Sequence, residues 1–136
     1  MTNLRFPLFL TRISIALFLL PWQLMRFSKP EAIGNISQKY YKFSMPEIGS
    51  TVTGVLMMVL LLAFVAGFKK RLSYGLVLAL HTIGTLTTIP YLIPGLDGFN
   101  ILFMAAIPTI GAMLLLYVLR EQDTLLSVDS MMGGKA

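Results

Sequence analysis

Few residues in this chain are suited to chemistry, and they stand in unusual places. The one histidine, His81, lies midway along GLVLALHTIGTLTTIPYL (75–92), a segment that is otherwise almost wholly apolar. At 100° per residue, Tyr74, His81, Gly84, Thr85 and Thr88 fall on one helix face. An imidazole N–H beside threonine hydroxyls can hold a carbonyl oxygen such as that of a quinone. The simpler reading is helix glue, a neutral imidazole hydrogen-bonded to a neighbouring helix through Ser50 or Thr53. Arg12 is the second candidate. It lies six residues past Phe6, about 9 Å into an apolar run. Its stem is long enough to snorkel back to the headgroups. Otherwise it pairs with a lipid phosphate, a quinone carbonyl or a partner's carboxylate. No acidic residue lies within the apolar segments, so the expectation is an external partner rather than an internal salt bridge.

Beyond these residues, the search for a reaction centre comes up empty. The absence of cysteine excludes disulfides, iron–sulfur ligation and thiol relays. There is no carboxylate pair, no nucleophile with its base, no metal-spaced cluster and no phosphate loop. One histidine cannot supply a bis-histidine haem site, and the nine methionines show no partner spacing. The expectation is therefore no catalytic residue, no metal and no cofactor in the chain itself, with a bound quinone or lipid near His81, Thr85, Thr88 and Arg12.

The elements that must position these residues are dictated by hydropathy. Of 136 residues, 56% are hydrophobic and 12% charged, against about 25% charged in soluble domains. Windows 48–68, 72–92 and 99–119 carry no charge, and 6–27 is as apolar but for Arg12 and Arg26. At ~1.5 Å per residue each crosses roughly the hydrocarbon thickness of a bilayer. The chain has too little other material to cover four such helices in water. The expected fold is an all-α membrane protein, a four-transmembrane-helix bundle over 1–119 with a polar tail, 120–136, that frays. Pro21 and Pro108 are expected to kink their spans.

Lysine and arginine set the orientation. Arg5, Lys69, Lys70, Arg71, Arg120 and Lys135 would share one face, and Arg26, Lys29, Lys39 and Lys42 the other. Six against four places both termini in the cytoplasm of a multi-pass inner-membrane protein. Trp22, Tyr91 and Phe99 would mark the outer interface, and Tyr74 and Tyr117 the inner one. The net charge of +5 anchors helix ends and does not point to nucleic acid. The one long connection, 28–46, has Ser28 and Glu31 spaced as a capping box, with Pro30 in the first turn. Ile33, Ile36, Tyr40 and Phe43 follow at helical spacing, which predicts an amphipathic surface helix over about 30–43. Its aromatic residues would dock a partner or rest among lipid headgroups.

Arg12 in the first span, GFKKR (67–71) ending the second, and one long loop followed by short ones resemble the DoxX-like family of small four-span membrane proteins. The resemblance covers about 10–119. Gln23 and Arg26 stand where the family has glycine and lysine, and Met57 where a carboxylate is common. The family's thiol chemistry has no counterpart in a chain without cysteine. The resemblance implies a non-catalytic accessory subunit of a larger membrane assembly, linked to quinone or respiratory redox chemistry. Its partners would be membrane lipid and other membrane-protein subunits. The other reading is a small carrier or channel for a lipid, quinone or small solute.

Overall fold

A computed structural model describes residues 3–36, 38–39 and 47–133, which are helical with no strand among them. Helix α1 (Arg5–Ser28) contains Pro21. The Ser28 hydroxyl donates to the Leu24 carbonyl in the same helix, 3.0 Å away. Ser28 is thus the last residue of α1, with Lys29 between it and the next helix. Helix α2 (Pro30–Ile36) starts directly at Pro30, where a missing N–H costs nothing. The amphipathic helix expected over 30–43 is described only to Ile36. The side chains of Ile33 and Ile36, and all of Tyr40 and Phe43, lie outside the described residues.

Helix α3 (Glu47–Ala66) stops at Gly67, which takes φ +65°. The Phe68 N–H reaches the Ala63 carbonyl and the Gly67 N–H reaches Phe64, a Schellman closure that glycine permits. The chain reverses through Lys69, also left-handed at φ +45°, into helix α4 (Lys70–Leu86).

Two sequence expectations fail at prolines. Window 72–92 is not one helix: α4 ends at Leu86, and a short α5 (Ile89–Leu92) follows. Pro90 would clash with the Leu86 carbonyl in a continuous helix, and here it occupies the first turn of α5. Window 99–119 opens with a 3-10 turn, Ile101–Ala105, capped by the Asn100 side chain on the Leu102 N–H. Helix α6 (Ala106–Val118) begins only two residues before Pro108. The proline sits in a first turn, where its lost donor is an orphan anyway, so it produces no mid-span kink.

Helices α1, α3, α4 and α6 pack in a ring, with α1 against α3, α3 against α4, α4 against α6 and α6 against α1. Helices α1 and α4 are thus diagonal, and their inward side chains meet near the axis. The buried apolar residues are Leu8, Ile15, Ala16, Leu61, Phe64, Tyr74, Val77, Met113 and Leu116. By chain position, all lie toward the bundle end that carries the 67–69 turn. Outward faces are apolar, with Leu17, Leu56, Val59, Leu62, Ile83 and Val118 well exposed. Arg5–Ser28 and Ile101–Val118 are long and apolar enough to cross a membrane. Only 22% and 11% of their most apolar windows is buried inside the protein, unlike the core helices of a soluble domain.

Gly54 is buried between α3 and α1. A Cβ there would stand 3.1 Å from the Arg26 Cβ and 3.2 Å from the Phe27 ring. Gly54→Val is expected to lower stability by about 1–3 kcal/mol through overpacking. Gly84, in α4, has open space around it, and Gly84→Ala should raise stability by roughly 0.5–1 kcal/mol. Thermal unfolding in detergent measures both. Equal melting temperatures for the two variants would mean that α1 and α3 do not meet at Gly54.

Candidate functional site

Arg12 projects from α1 into the bundle and is wholly buried. A buried guanidinium needs a counter-anion, and the structure supplies one from a distant part of the chain. Residues 120–133 do not fray but fold back across the bundle end. A 3-10 turn, Arg120–Gln122, leads to Asp123, which is also wholly buried. Arg12 Nη1 lies 3.2 Å from Asp123 Oδ2. Arg12 Nη2 donates to the Leu125 and Leu126 carbonyls at 2.6 and 3.1 Å. The expectation of an external partner for Arg12 is thus corrected. The apolar segments hold no acid, and Asp123 arrives from the tail 111 residues later.

Tyr74, on α4, completes the centre. Its hydroxyl donates to Asp123 Oδ2 at 2.6 Å and accepts from Arg12 Nη1 at 3.3 Å. The ring is 1% exposed and packs on Phe64 at 4.9 Å between centroids. It is a core residue and not a member of an interfacial belt. Tyr117 is half-buried, with the Arg120 guanidinium 4.6 Å over its ring.

A second ionic group lies beside the first. Lys70 is 2% exposed. Its Nζ donates to the Arg120 and Asp123 carbonyls, both at 2.8 Å, satisfying acceptors just past the C-terminal end of α6. Burial pushes the Lys70 ammonium below its ordinary pKa, and Asp123 and Asp129 pull it back. Helix α4 has no side-chain cap of its own. Asp129 supplies one from the short α7 (Val128–Met131): its carboxylate accepts the Lys69 and Lys70 N–H groups at 2.7 and 2.9 Å. A carboxylate on two orphan amides at a helix N-terminus is favoured by both hydrogen bonding and the helix dipole. The Asp129 N–H and the Ser127 hydroxyl both donate to the Gly67 carbonyl. A Cβ at Gly67 would fall 2.7 Å from Arg12 Nη1 and 2.8 Å from Ser127 Oγ, so glycine is required by space as well as by φ.

The cluster is neutral in sum: Arg12 and Lys70 against Asp123 and Asp129. It has two loose ends. Arg12 Nε and Asp123 Oδ1 are enclosed without a partner among the described residues. Leu126, whose carbonyl serves Arg12, is left-handed at φ +49°, a conformation costing a non-glycine residue roughly 1–2 kcal/mol. The hydroxyl set against a carboxylate, that of Tyr74, is also held by Arg12, and no group of three metal-ligating side chains occurs among the described residues.

The structure does not bring Arg12 and His81 together. Arg12 meets Tyr74, and His81, seven residues on, meets the Phe18 ring edge-on at 6.2 Å. These pairings place α1 and α4 in the same direction, with His81 about 10 Å further along the axis. The Thr85 and Thr88 hydroxyls donate to the His81 and Thr85 carbonyls of their own segment. The Thr53 hydroxyl likewise donates to Gly49. His81 Nε2 and Gln23 Oε1 are buried without a partner among the described residues.

Sequence reasoning passed over Lys70, Asp123, Ser127 and Asp129 as site residues. One signal was present: only six residues are acidic, and Glu121, Asp123 and Asp129 make half of them in one short stretch. If the Arg12–Asp123 pair closes the bundle end, Asp123→Asn should destabilise by about 3–5 kcal/mol, the cost of an unpaired buried charge. Arg12→Met combined with Asp123→Leu should cost clearly less than the sum of the single changes. A double-mutant cycle in detergent measures this, and strict additivity would mean that the pair does not form.

No family model, curated protein or solved structure matches this chain.

Proposed function

We propose that this chain is a DoxX-like four-span integral membrane protein of a cell's inner membrane, with both termini cytoplasmic. It acts as a non-catalytic accessory subunit of a larger membrane assembly, linked to quinone or respiratory redox chemistry. The observation that carries the membrane part is an inverted polarity. Arg12, Lys70, Asp123 and Asp129 are buried while large apolar side chains cover the outside, which water does not tolerate over such an area. The subunit part is supported by how the cluster is used: Arg12 pairs with Asp123, Lys70 holds two carbonyls and Asp129 caps α4, so each charged group serves to hold the fold. Bound quinone or lipid fits the half of the bundle around His81, Thr85 and Thr88, where His81 Nε2 and Gln23 Oε1 have no protein partner among the described residues. Ile33, Ile36, Tyr40 and Phe43 are the docking surface for another subunit.

A second reading, a small carrier or channel, draws on the breaks between α4 and α5 and between the 3-10 turn and α6. Carriers use discontinuous helices, but at mid-membrane. These breaks lie in the outer third of windows 72–92 and 99–119, so the subunit reading leads.

Reporter fusions after Arg71 and after Ala136 should both be active as cytoplasmic reporters, because basic loops resist translocation. Opposite results at the two sites would mean a miscounted span. Purification from native membranes in mild detergent should retain a stoichiometric membrane partner, and Tyr40→Ser with Phe43→Ser should release it without disturbing insertion. A lone monodisperse bundle that moves a solute in liposomes would replace the subunit reading with the carrier.

A further inference from the structure

The segment 120–133 supplies nearly every partner of two buried cations. Apart from Tyr74, each acceptor of Arg12 is on it: Asp123, Leu125 and Leu126. Both acceptors of Lys70 Nζ are on it too, and so is the Asp129 carboxylate that holds the Lys69 and Lys70 amides. Without this segment, a guanidinium, an ammonium, a phenol hydroxyl and two helix-terminal N–H groups would converge on one space. That set of donors is a receptor for an oxyanion.

The segment fills this receptor imperfectly. Asp123 meets Arg12 through a single 3.2 Å contact, although a guanidinium and a carboxylate can pair through two parallel bonds. Arg12 Nε and Asp123 Oδ1 remain enclosed and unpartnered among the described residues. Leu126 turns left-handed to present its carbonyl. Strain at the residue that serves the buried arginine is what an exchangeable occupant would show. The surroundings favour a lipid source. Arg12 lies two turns into α1 and Tyr74 one turn into α4, within reach of headgroups beside exposed Lys69 and Arg71, while Leu126, Met131 and Met132 on the segment are 61%, 70% and 70% exposed.

We propose that Arg12, Lys70, Tyr74 and the N-terminal amides of α4 form a binding site for a phosphate oxyanion. The ligand is the headgroup of an anionic inner-leaflet phospholipid, and residues 120–133 occupy the site as a built-in substitute. The segment and the phosphate compete for the same donors, and each is favoured where the other is absent, so the two events are reciprocally coupled. The lipid source rests on the membrane-spanning reading, whereas the oxyanion site does not.

The chain has no cysteine, so Ser130→Cys, exposed on α7, gives a unique nitroxide position in the full-length protein. Electron paramagnetic resonance line shapes are compared in phosphatidylcholine nanodiscs, in nanodiscs doped with phosphatidate, and in phosphatidylcholine nanodiscs with inorganic phosphate. The expected result is a helix-like immobile label in the first, converting to a mobile one as phosphatidate is added. Asp123→Asn should move the phosphatidate midpoint down by roughly 10-fold, within the usual range of coupling between sites. A label that stays immobile in every arm overturns the proposal, whether or not Asp123→Asn folds. Equal mobilisation by inorganic phosphate would keep the oxyanion site and overturn the lipid source. Failure to insert into nanodiscs would overturn the membrane reading, and titration with inorganic phosphate in detergent would then decide the site.

Discussion

A fully buried arginine constrains everything around it. Arg12 cannot lose its proton and cannot be left unpaired in an apolar interior, so the fold must bring it an anion. The chain meets that demand by folding residues 120–133 across the bundle end and placing Asp123 beneath the guanidinium. Other features then follow. Gly67 is suited to its place because a Cβ there would crowd Arg12 Nη1 and Ser127 Oγ. Tyr74 must turn inward to share the carboxylate. The Asp123 carbonyl, fixed by the same contact, becomes an acceptor for Lys70.

The two ionic groups also fix how helices meet. The Arg12–Tyr74 contact joins α1 and α4 across the diagonal of the ring. Lys70 ties the start of α4 to carbonyls just beyond α6, and Asp129 caps α4 from outside the ring. The start of α1 is tied in as well, through the Arg5 Nε hydrogen bond to Thr124 Oγ1. A single tail segment therefore touches the ends of several helices at once. Polar bonds of this kind specify register and neighbour choice more than they add net stability.

Hydropathy predicted the long helices well because burial patterning is local information. Helix α1 spans the expected window 6–27 to within a residue at each end, and α3 covers nearly all of 48–68. The prolines were legible only in part. Chemistry says that a proline lacks a donor, but whether it kinks a helix or starts one depends on where the helix begins. Pro90 and Pro108 both sit in the first turn of a helix here. The tail was misread because REQDTLLSVDS looks like a solvated end, and nothing in its own pattern points to Arg12. The pairing of residues 12 and 123 is a property of the closed bundle, so periodicity could not reveal it. Ser28 shows the same limit on a smaller scale. Its spacing to Glu31 suggests the start of a helix, yet Ser28 is the last residue of α1 and its hydroxyl donates one turn back to Leu24.

The unequal packing of the bundle's two halves has a physical reading. The buried apolar residues cluster with the ionic groups, where aromatic and aliphatic walls exclude water from Arg12 and Asp123 and strengthen their attraction. Beyond Met113 and Val77 the inward positions turn polar, with His81 and Thr88 on the α4–α5 side and Gln23 on α1. There the threonine hydroxyls bond back to carbonyls of their own segment, which satisfies them without tying one helix to another. One half is thus locked by side chains that reach across the ring. Among the described residues the other half is held by more local contacts, with the Asn100 side chain capping the 3-10 turn and Tyr91 stacked on Phe103 at 5.5 Å.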